Sequence, residues 1–360
     1  MTLPFPTVEV VEGRARLLVP DVPRRKGPLP RGDVPFYNPT NAVNRDVSAV
    51  LLARWPGGLR DALDGLAATG AWGIRIALEA SVPRVVLNDR SHDACDLVRA
   101  NLDRNHVEGE VRTADLRDVL GSESFDFVDI DPFGPPTPFL RAALAGNRAE
   151  FGLGVTATDT APLCGTYTEA CVRRYRARPL RCAQGHEIGL RILIGYIARL
   201  AADADRAIEP VLSFSAEHFL RTHLRVVEGR EQPPVEMFVR DPGGGFRPCH
   251  PSDRGAIGPL WSGPLSDRAA LSGLRTTESS GAQAVRLLDA LRGEAGFPPF
   301  FVSTDDLARR LRGSPPRLDR FLDALRAMGY RAARTHFDPR GVKTDAPMED
   351  IERAFTEATT

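Results

Sequence analysis

The chain has 360 residues, 42% of them hydrophobic and 26% charged, and its 47 basic and 47 acidic residues cancel to a formal net charge of zero. That balance excludes a disordered or low-complexity chain, and the length suits two domains whose core needs no metal or disulfide staple. Cys95, Cys164, Cys171, Cys182 and Cys249 are scattered without a CxxC pair, which excludes a disulfide framework and places the protein in a reducing compartment, the cytoplasm.

The opening MTLPFPTVEV has no basic start followed by an apolar run, so no signal peptide is expected. Residues 1–35 are rich in Pro, Arg and Gly, and 20-PDVPRRKGPLPRGDVP-35 predicts an extended basic arm rather than packed structure. An amphipathic helix follows from Asp46 and is stopped by Pro56-Gly57-Gly58. Strand-like runs 63-LDGLA-67, 84-RVVLND-89, 110-EVRTAD-115, 125-FDFVDID-131 and 151-FGLGVTATD-159 then alternate with helical stretches such as 73–80 and 91–105. A helix over 184–203 and a strand over 210–215 complete the set; Arg191 and Arg199 interrupt that helix, so no membrane span is expected. Strand–helix alternation over 36–228 predicts an α/β, doubly wound, Rossmann-like sheet, with ligands beyond the carboxyl ends of its strands.

Texture changes near 229. The segment 229–265 is loop-rich, and helices Ala282–Arg292, Thr304–Arg312 and Pro315–Met328 precede a hairpin-like 329–347. Residues 229–360 are therefore expected to form a smaller α+β domain of winged-helix type.

The turn 64-DGLAATGAWG-73 follows a strand and opens a helix, and Gly70 and Gly73 let the backbone approach a ligand closely. It lacks the full G-x-G-x-x-G pattern of a dinucleotide site. The next strand ends in Asp89, placed to accept from ribose hydroxyls, and the third ends in Asp115, placed to accept from an adenine amino group. Either acid alone could be a helix cap. In this order they describe an adenosine pocket without a phosphate loop, as S-adenosylmethionine requires.

The fourth strand ends in 129-DIDPFGPP-136. Asp131 and the Pro132 carbonyl can accept from an exocyclic amine, Phe133 offers a face for a flat base, and Gly134 turns the chain away. An aromatic amine is a poor nucleophile because its lone pair is delocalised; two acceptors can orient it and take up the positive charge that develops.

These residues resemble the tRNA (guanine-26-N2)-dimethyltransferase family. The resemblance runs through 36-FYNPTNAVNRDVSAVLL-52, 129-DIDPFGPPTPFLRAAL-144, 153-LGVTATDTAPLCGTY-167, 186-HEIGLRILIGYIAR-199, 258-GPLWSGPL-265 and 341-GVKTDAP-347. It implies a class I methyltransferase fold and transfer of one or two methyl groups from S-adenosylmethionine to the N2 of a tRNA guanine. By resemblance, Arg45 pairs with the methionyl carboxylate, Asp89 and Asp115 hold ribose and adenine, Leu116 packs beside the adenine, and Asp131 is catalytic. His186 and Glu187 open a signature helix and read as its structural start. The family's glycine loop carries two arginines; here the first position is Trp72 and only Arg75 remains as a cofactor contact. Many members carry four cysteines before G-P-L-W; here only Cys249 stands there, too few ligands for a structural zinc, so no metal is expected.

A guanine stacked within tRNA must be splayed out to be methylated. Phe133 would stack on it, with Phe36 and Tyr37 closing the pocket. The phosphate backbone would be met by Arg24, Arg25 and Lys26, by Arg173, Arg174, Arg176 and Arg178, and by Arg309, Arg310, Arg312, Arg317 and Arg320; arginine dominates because Lys26 and Lys343 are the only lysines. No obligate protein partner is implied. The rival readings are an amine methyltransferase acting on DNA or rRNA, and a non-catalytic winged-helix protein with a degenerate methyltransferase domain.

Overall fold

A computed structural model describes residues 3–21 and 34–359. The chain opens with an antiparallel hairpin, β1 (Thr7–Glu12) and β2 (Ala15–Pro20), where an unpacked arm was expected. Alternation explains it: Ala15, Leu17 and Val19 point inward and are buried. The free edge of β2 is met by side-chain amides of the helix over His92–Asn105. Asn101 accepts from Leu18 N at 2.7 Å and donates to Leu18 O at 2.9 Å, and Asn105 does the same for Arg16, 2.8 Å each way. The basic run Arg24-Arg25-Lys26 lies outside the described residues.

Helix α1 (Ala42–Leu52) leads into β3 (Asp61–Asp64), α2 (Ala71–Arg75) and a π-helical turn over Ile76–Ala80. Then come β4 (Arg84–Asp89), α3 (His92–Asn105), β5 (Glu110–Thr113), α4 (Leu116–Ser122), β6 (Phe127–Ile130), α5 (Thr137–Ala145) and β7 (Phe151–Ala157). Two short helices, α6 (Thr160–Leu163) and α7 (Thr168–Tyr175), precede the long α8 (Gly185–Ala202), and β8 (Arg206–Ala216) and β9 (Phe219–Glu228) close the sheet. Strand order is β5-β4-β3-β6-β7-β9-β8, with the first five parallel and β9 antiparallel to both neighbours. This is the expected doubly wound sheet with a reversed strand inserted near one edge. That strand escaped the sequence reading because 219-FLRTHLRVVE-228 carries Arg221, Thr222 and His223, which are fully buried.

Apolar side chains cover both faces of the sheet. Ile188, Leu193 and Ile197 of α8 pack with Leu153 and Val155 on one side, and Val47 and Leu51 of α1 pack with Ile74 and Val85 on the other. No helix among the described residues is long and apolar enough to cross a membrane.

Beyond 228 the core does not stop. A small sheet of β10 (Val235–Arg240), β11 (Phe246–Pro248) and β12 (Ile257–Trp261) sends Phe238, Leu260 and Trp261 into the cluster around α8. Helices α9 (Arg268–Gly273) and α10 (Ala282–Glu294) lay Leu271, Leu288 and Leu291 against the α1 side. Only the last stretch has a core of its own. There β13 (Val302–Ser303), α11 (Thr304–Leu311), α12 (Leu318–Ala327), β14 (Ala332–Arg334), β15 (Gly341–Thr344) and α13 (Met348–Thr359) enclose Leu307, Phe321, Leu325 and Phe355. With α10 in front, the order helix, strand, helix, helix, strand, strand is that of a winged helix, with one helix added.

Candidate active site

Parallel strands bring their carboxyl ends to one edge, so Asp64, Asp89 and Asp131 come from distant sequence to one crevice. Asp64 ends β3, and its Oδ2 accepts from Gly73 N at 3.0 Å, pinning the start of α2. Gly70 caps that helix in the left-handed region (φ +76°), which a side chain would strain. At Gly65 a Cβ would lie 2.7 Å from the Asp129 carbonyl and 2.9 Å from Leu116 Cδ2, so the turn hugs both the fourth strand and the buried Leu116.

Asp89 accepts from Ala68 N at 3.0 Å and from Ser91 N at 2.9 Å. These bonds bind the glycine turn to the end of β4 and fix the carboxylate at the crevice. Asp115 caps α4 through Arg117 N at 2.9 Å and pairs with the Arg117 guanidinium at 2.7 Å, which holds its carboxyl down at about 2. It remains partly exposed and ionised, an acceptor on the expected strand end.

Arg45, on α1, is gripped by Glu12 of the hairpin at 2.5 and 2.6 Å, and it also donates to Asn38 O at 3.0 Å. Tyr37 donates to the same carboxylate at 2.7 Å and lies 5.4 Å from the Arg45 guanidinium. Arg75, expected as a cofactor contact, has its guanidinium taken up by protein carboxylates. Its side chain is fully buried and bound to Glu79 at 2.8 Å, Glu12 at 3.0 Å and Asp46 at 2.7 Å. A guanidinium committed to three carboxylates ties hairpin, α1 and π turn together. Trp72 is buried and stacks on Phe127 with centroids 6.0 Å apart, so it is core.

Asp131 follows β6 directly. Its Oδ2 accepts from Asn44 Nδ2 at 3.4 Å, and the nearby Thr156 hydroxyl favours its ionised form. Burial pushes its proton affinity up, while the positive charges of Arg221 and Arg45 pull it back down. The Asp-Pro-Phe-Gly turn is pinned to the end of β7: Gly134 N donates to Thr158 Oγ1 at 2.6 Å, and that hydroxyl reaches the Pro132 carbonyl at 3.4 Å. Phe133 is 72% exposed, which for a large apolar ring at a crevice mouth marks a surface awaiting a partner. Phe36 meets it edge-on, with centroids 4.7 Å apart at 70°.

Beneath the carboxylate lies a buried polar floor that the sequence reading missed. Arg221 of β9 pairs with Asp129 and donates to Thr156 Oγ1 at 2.9 Å. Ser48 sits 3.1 Å from His223 Nε2 and within 3.5 Å of Asn44 Oδ1. Burial and the neighbouring guanidinium hold His223 well below its usual range, hence neutral, whereas burial pushes Asp129 up to about 6. At Gly154 a Cβ would fall 2.4 Å from Asp129 Oδ1 and 2.6 Å from Arg221 Nη2, so glycine alone admits this ion pair. Asn44 and Thr158 lie inside the family-like strings 36–52 and 153–167. Nothing in the sequence flagged Arg221.

Glu187, read as a structural helix start, has a larger structural task. Its carboxylate accepts from Lys343 Nζ at 2.7 Å, Arg191 at 3.0 Å, Phe300 N at 2.7 Å and Phe301 N at 3.1 Å. The strings at 186 and 341 are thus two halves of one buried joint. Among the described residues no three His, Cys, Asp or Glu side chains are grouped to hold a metal.

A family model described as N2,N2-dimethylguanosine tRNA methyltransferase matches residues 13–237 and 247–356. The chain belongs to that family. Within it, tRNA (guanine(26)-N(2))-dimethyltransferases of Pyrococcus abyssi and Methanosphaerula palustris are each 38% identical to this chain, covering 98% and 97% of it and 99% of their own lengths. The structure of Trm1 from Pyrococcus horikoshii in complex with S-adenosyl-L-methionine is 35% identical and superposes with a TM-score of 0.87 over 96% of this chain and 99% of that one. Family membership therefore extends through the winged-helix module as well as the sheet, and the methyltransferase fold is shared across the whole length.

Proposed function

We propose that this protein transfers one or two methyl groups from S-adenosylmethionine to the exocyclic N2 of guanine-26 in tRNA. The observation that carries the reading is the fourth-strand tip, where the Asp131 carboxylate, bonded to Asn44, stands two residues from an exposed Phe133.

The residues present fit the cofactor. The tight turn at Gly65, the Asp89 carboxylate and the Leu116 side chain form a cradle of the right chemistry for an adenosine, with Asp115 at the next strand end. Arg45 is the candidate for the methionyl carboxylate, its direction set by Glu12. S-adenosylmethionine supplies an electrophilic methyl group there. Phe133 and Phe36 receive the purine splayed out of its stack, which limits its motion and excludes water. Asp131 and the Pro132 carbonyl accept from the two N2 hydrogens, directing the nitrogen lone pair toward the donor. As the nitrogen acquires positive charge, Asp131 stabilises it and then holds the displaced proton. A guanine with one methyl still has one N2 hydrogen for Asp131, so a second round needs no new group.

Phosphate contacts fall to arginines without a protein partner. Arg312, Arg317 and Arg320 are exposed and unpaired among the described residues, whereas Arg309 and Arg310 are bound to Asp306 and Glu352. Nucleoside mass spectrometry of tRNA incubated with protein and donor tests the reading: N2-methylated guanosine is expected, and it should vanish when position 26 is changed to adenine. Methylation of DNA or rRNA instead would favour the wider amine-methyltransferase reading. Absence of any transfer would favour a non-catalytic binder.

A further inference from the structure

Thr158 supports the Asp-Pro-Phe-Gly turn, and the next residue, Asp159, anchors α7. Its Oδ1 accepts from the Tyr175 hydroxyl at 2.6 Å and its Oδ2 from Arg174 Nη1 at 3.0 Å. Helix α7 is thereby bolted to the rim of the active-site crevice. Its outer surface is unlike its inner one. Tyr167, at its start, is 62% exposed. Arg173, Arg176, Arg178 and Arg181 are exposed, and none has a side-chain partner among the described residues. Glu169 is the sole acid between Tyr167 and Arg181. In a chain whose exposed arginines are so often ion-paired, a run left free is a run left available. The surface is also concave at its far end: a hollow of about 640 Å³ is lined by Arg141, Arg176, Tyr196, Arg199 and Asp203.

We propose that this α7 shoulder, from Tyr167 to Arg181 and on into the Arg176 hollow, is a binding surface for the RNA strand that flanks the methylated base. An exposed aromatic at the start of α7 suits stacking on a neighbouring base, and successive unpaired guanidinium groups suit the phosphates that follow. Arg174 is excluded, because Asp159 already holds it. The inference rests on the tRNA reading above and narrows it to a surface outside the winged-helix module.

The test uses the full-length protein and an unmodified tRNA transcript, with affinity measured at several salt concentrations. The triple variant Arg173→Glu, Arg176→Glu, Arg178→Glu should bind the transcript at least about 100-fold more weakly at low salt, and the slope of log affinity against log salt should fall by about 2 to 3, near one for each lost phosphate contact. Tyr167→Ala should weaken binding about tenfold with the slope unchanged, as loss of one stacked base predicts. Arg54→Glu, at an exposed and unpaired arginine at the far end of α1, reports the effect of charge alone and should shift affinity little. Calorimetric affinity for S-adenosylmethionine, unchanged in every variant, verifies folding. Wild-type affinity and salt slope in the triple variant would overturn this inference alone. A wild-type protein that neither binds nor methylates tRNA would overturn both readings.

Discussion

Lys343 donates to Glu187 across 156 residues of sequence, both side chains buried, at 2.7 Å. Two charges this deep are tolerable because Arg191 and the amides of Phe300 and Phe301 saturate the carboxylate. Lys343→Met should therefore lower unfolding stability by about 3 kcal/mol, since a buried carboxylate loses one of its two cations and keeps Arg191 and the two amides. Denaturant titration reads the change, and a shift in midpoint of negligible size would refute it.

The same joint sets an acid limit. Its partners hold Glu187 down at about 2, below the usual 4.5 of an unfolded glutamate. A folded value below the unfolded one gives stability that is complete above 4.5 and is withdrawn as pH falls toward 2. Thermal melts across that window should fall more steeply in the wild type than in Glu187→Gln, which starts less stable and has no such proton to take up.

Asp131→Ala should reduce the rate of methyl transfer about 10² to 10⁴-fold, the range for loss of a positioned acid–base group. Affinity for S-adenosylmethionine by calorimetry should be largely preserved. Near-normal turnover would remove Asp131 from the chemistry.

Arg221 acts on the same carboxylate through its charge. Replacing it with methionine removes the positive charge that favours ionised Asp131, so the acidic limb of the kcat/KM profile should move to higher pH. The loss should be severe near pH 6 and much smaller near pH 9, with Arg221→Lys intermediate. A uniform loss at every pH would mean that Arg221 only holds the fold.

Asp89→Ala should weaken the affinity for S-adenosylmethionine by about 1–3 kcal/mol, the usual loss for a charged acceptor. Calorimetry that finds the affinity unchanged would place the adenosine elsewhere.

The strand tips were legible in the sequence because parallel strands announce themselves as apolar runs that end in polar residues. Asp89, Asp115 and Asp131 all lie where that grammar put them. Arg221 was hidden for the converse reason: a charged residue inside a strand breaks the apolar pattern, and only the partner it finds in Asp129 makes its burial tolerable. The hairpin at Thr7–Pro20 was masked by the proline- and arginine-rich stretch after it, which gave the whole segment the texture of an arm. The partners of Arg75 were not legible, because a motif position says which residue stands near a loop and not which way it faces; Glu12, Asp46 and Glu79 bind its side chain. The division at 229 marks where the large sheet ends, but Trp261 and Leu288 carry its hydrophobic core onward.

The amides of Phe300 and Phe301 and the ammonium of Lys343 all converge on a carboxylate in the first turn of the helix that backs the sheet. Parting these groups would give up a buried ion pair and two amide bonds to one carboxylate at once. The joint therefore favours one spacing between the terminal module and the crevice. On the reading proposed above, a substrate is then chosen by whether its own architecture spans that gap, and the bending needed to deliver a purine falls to the nucleic acid.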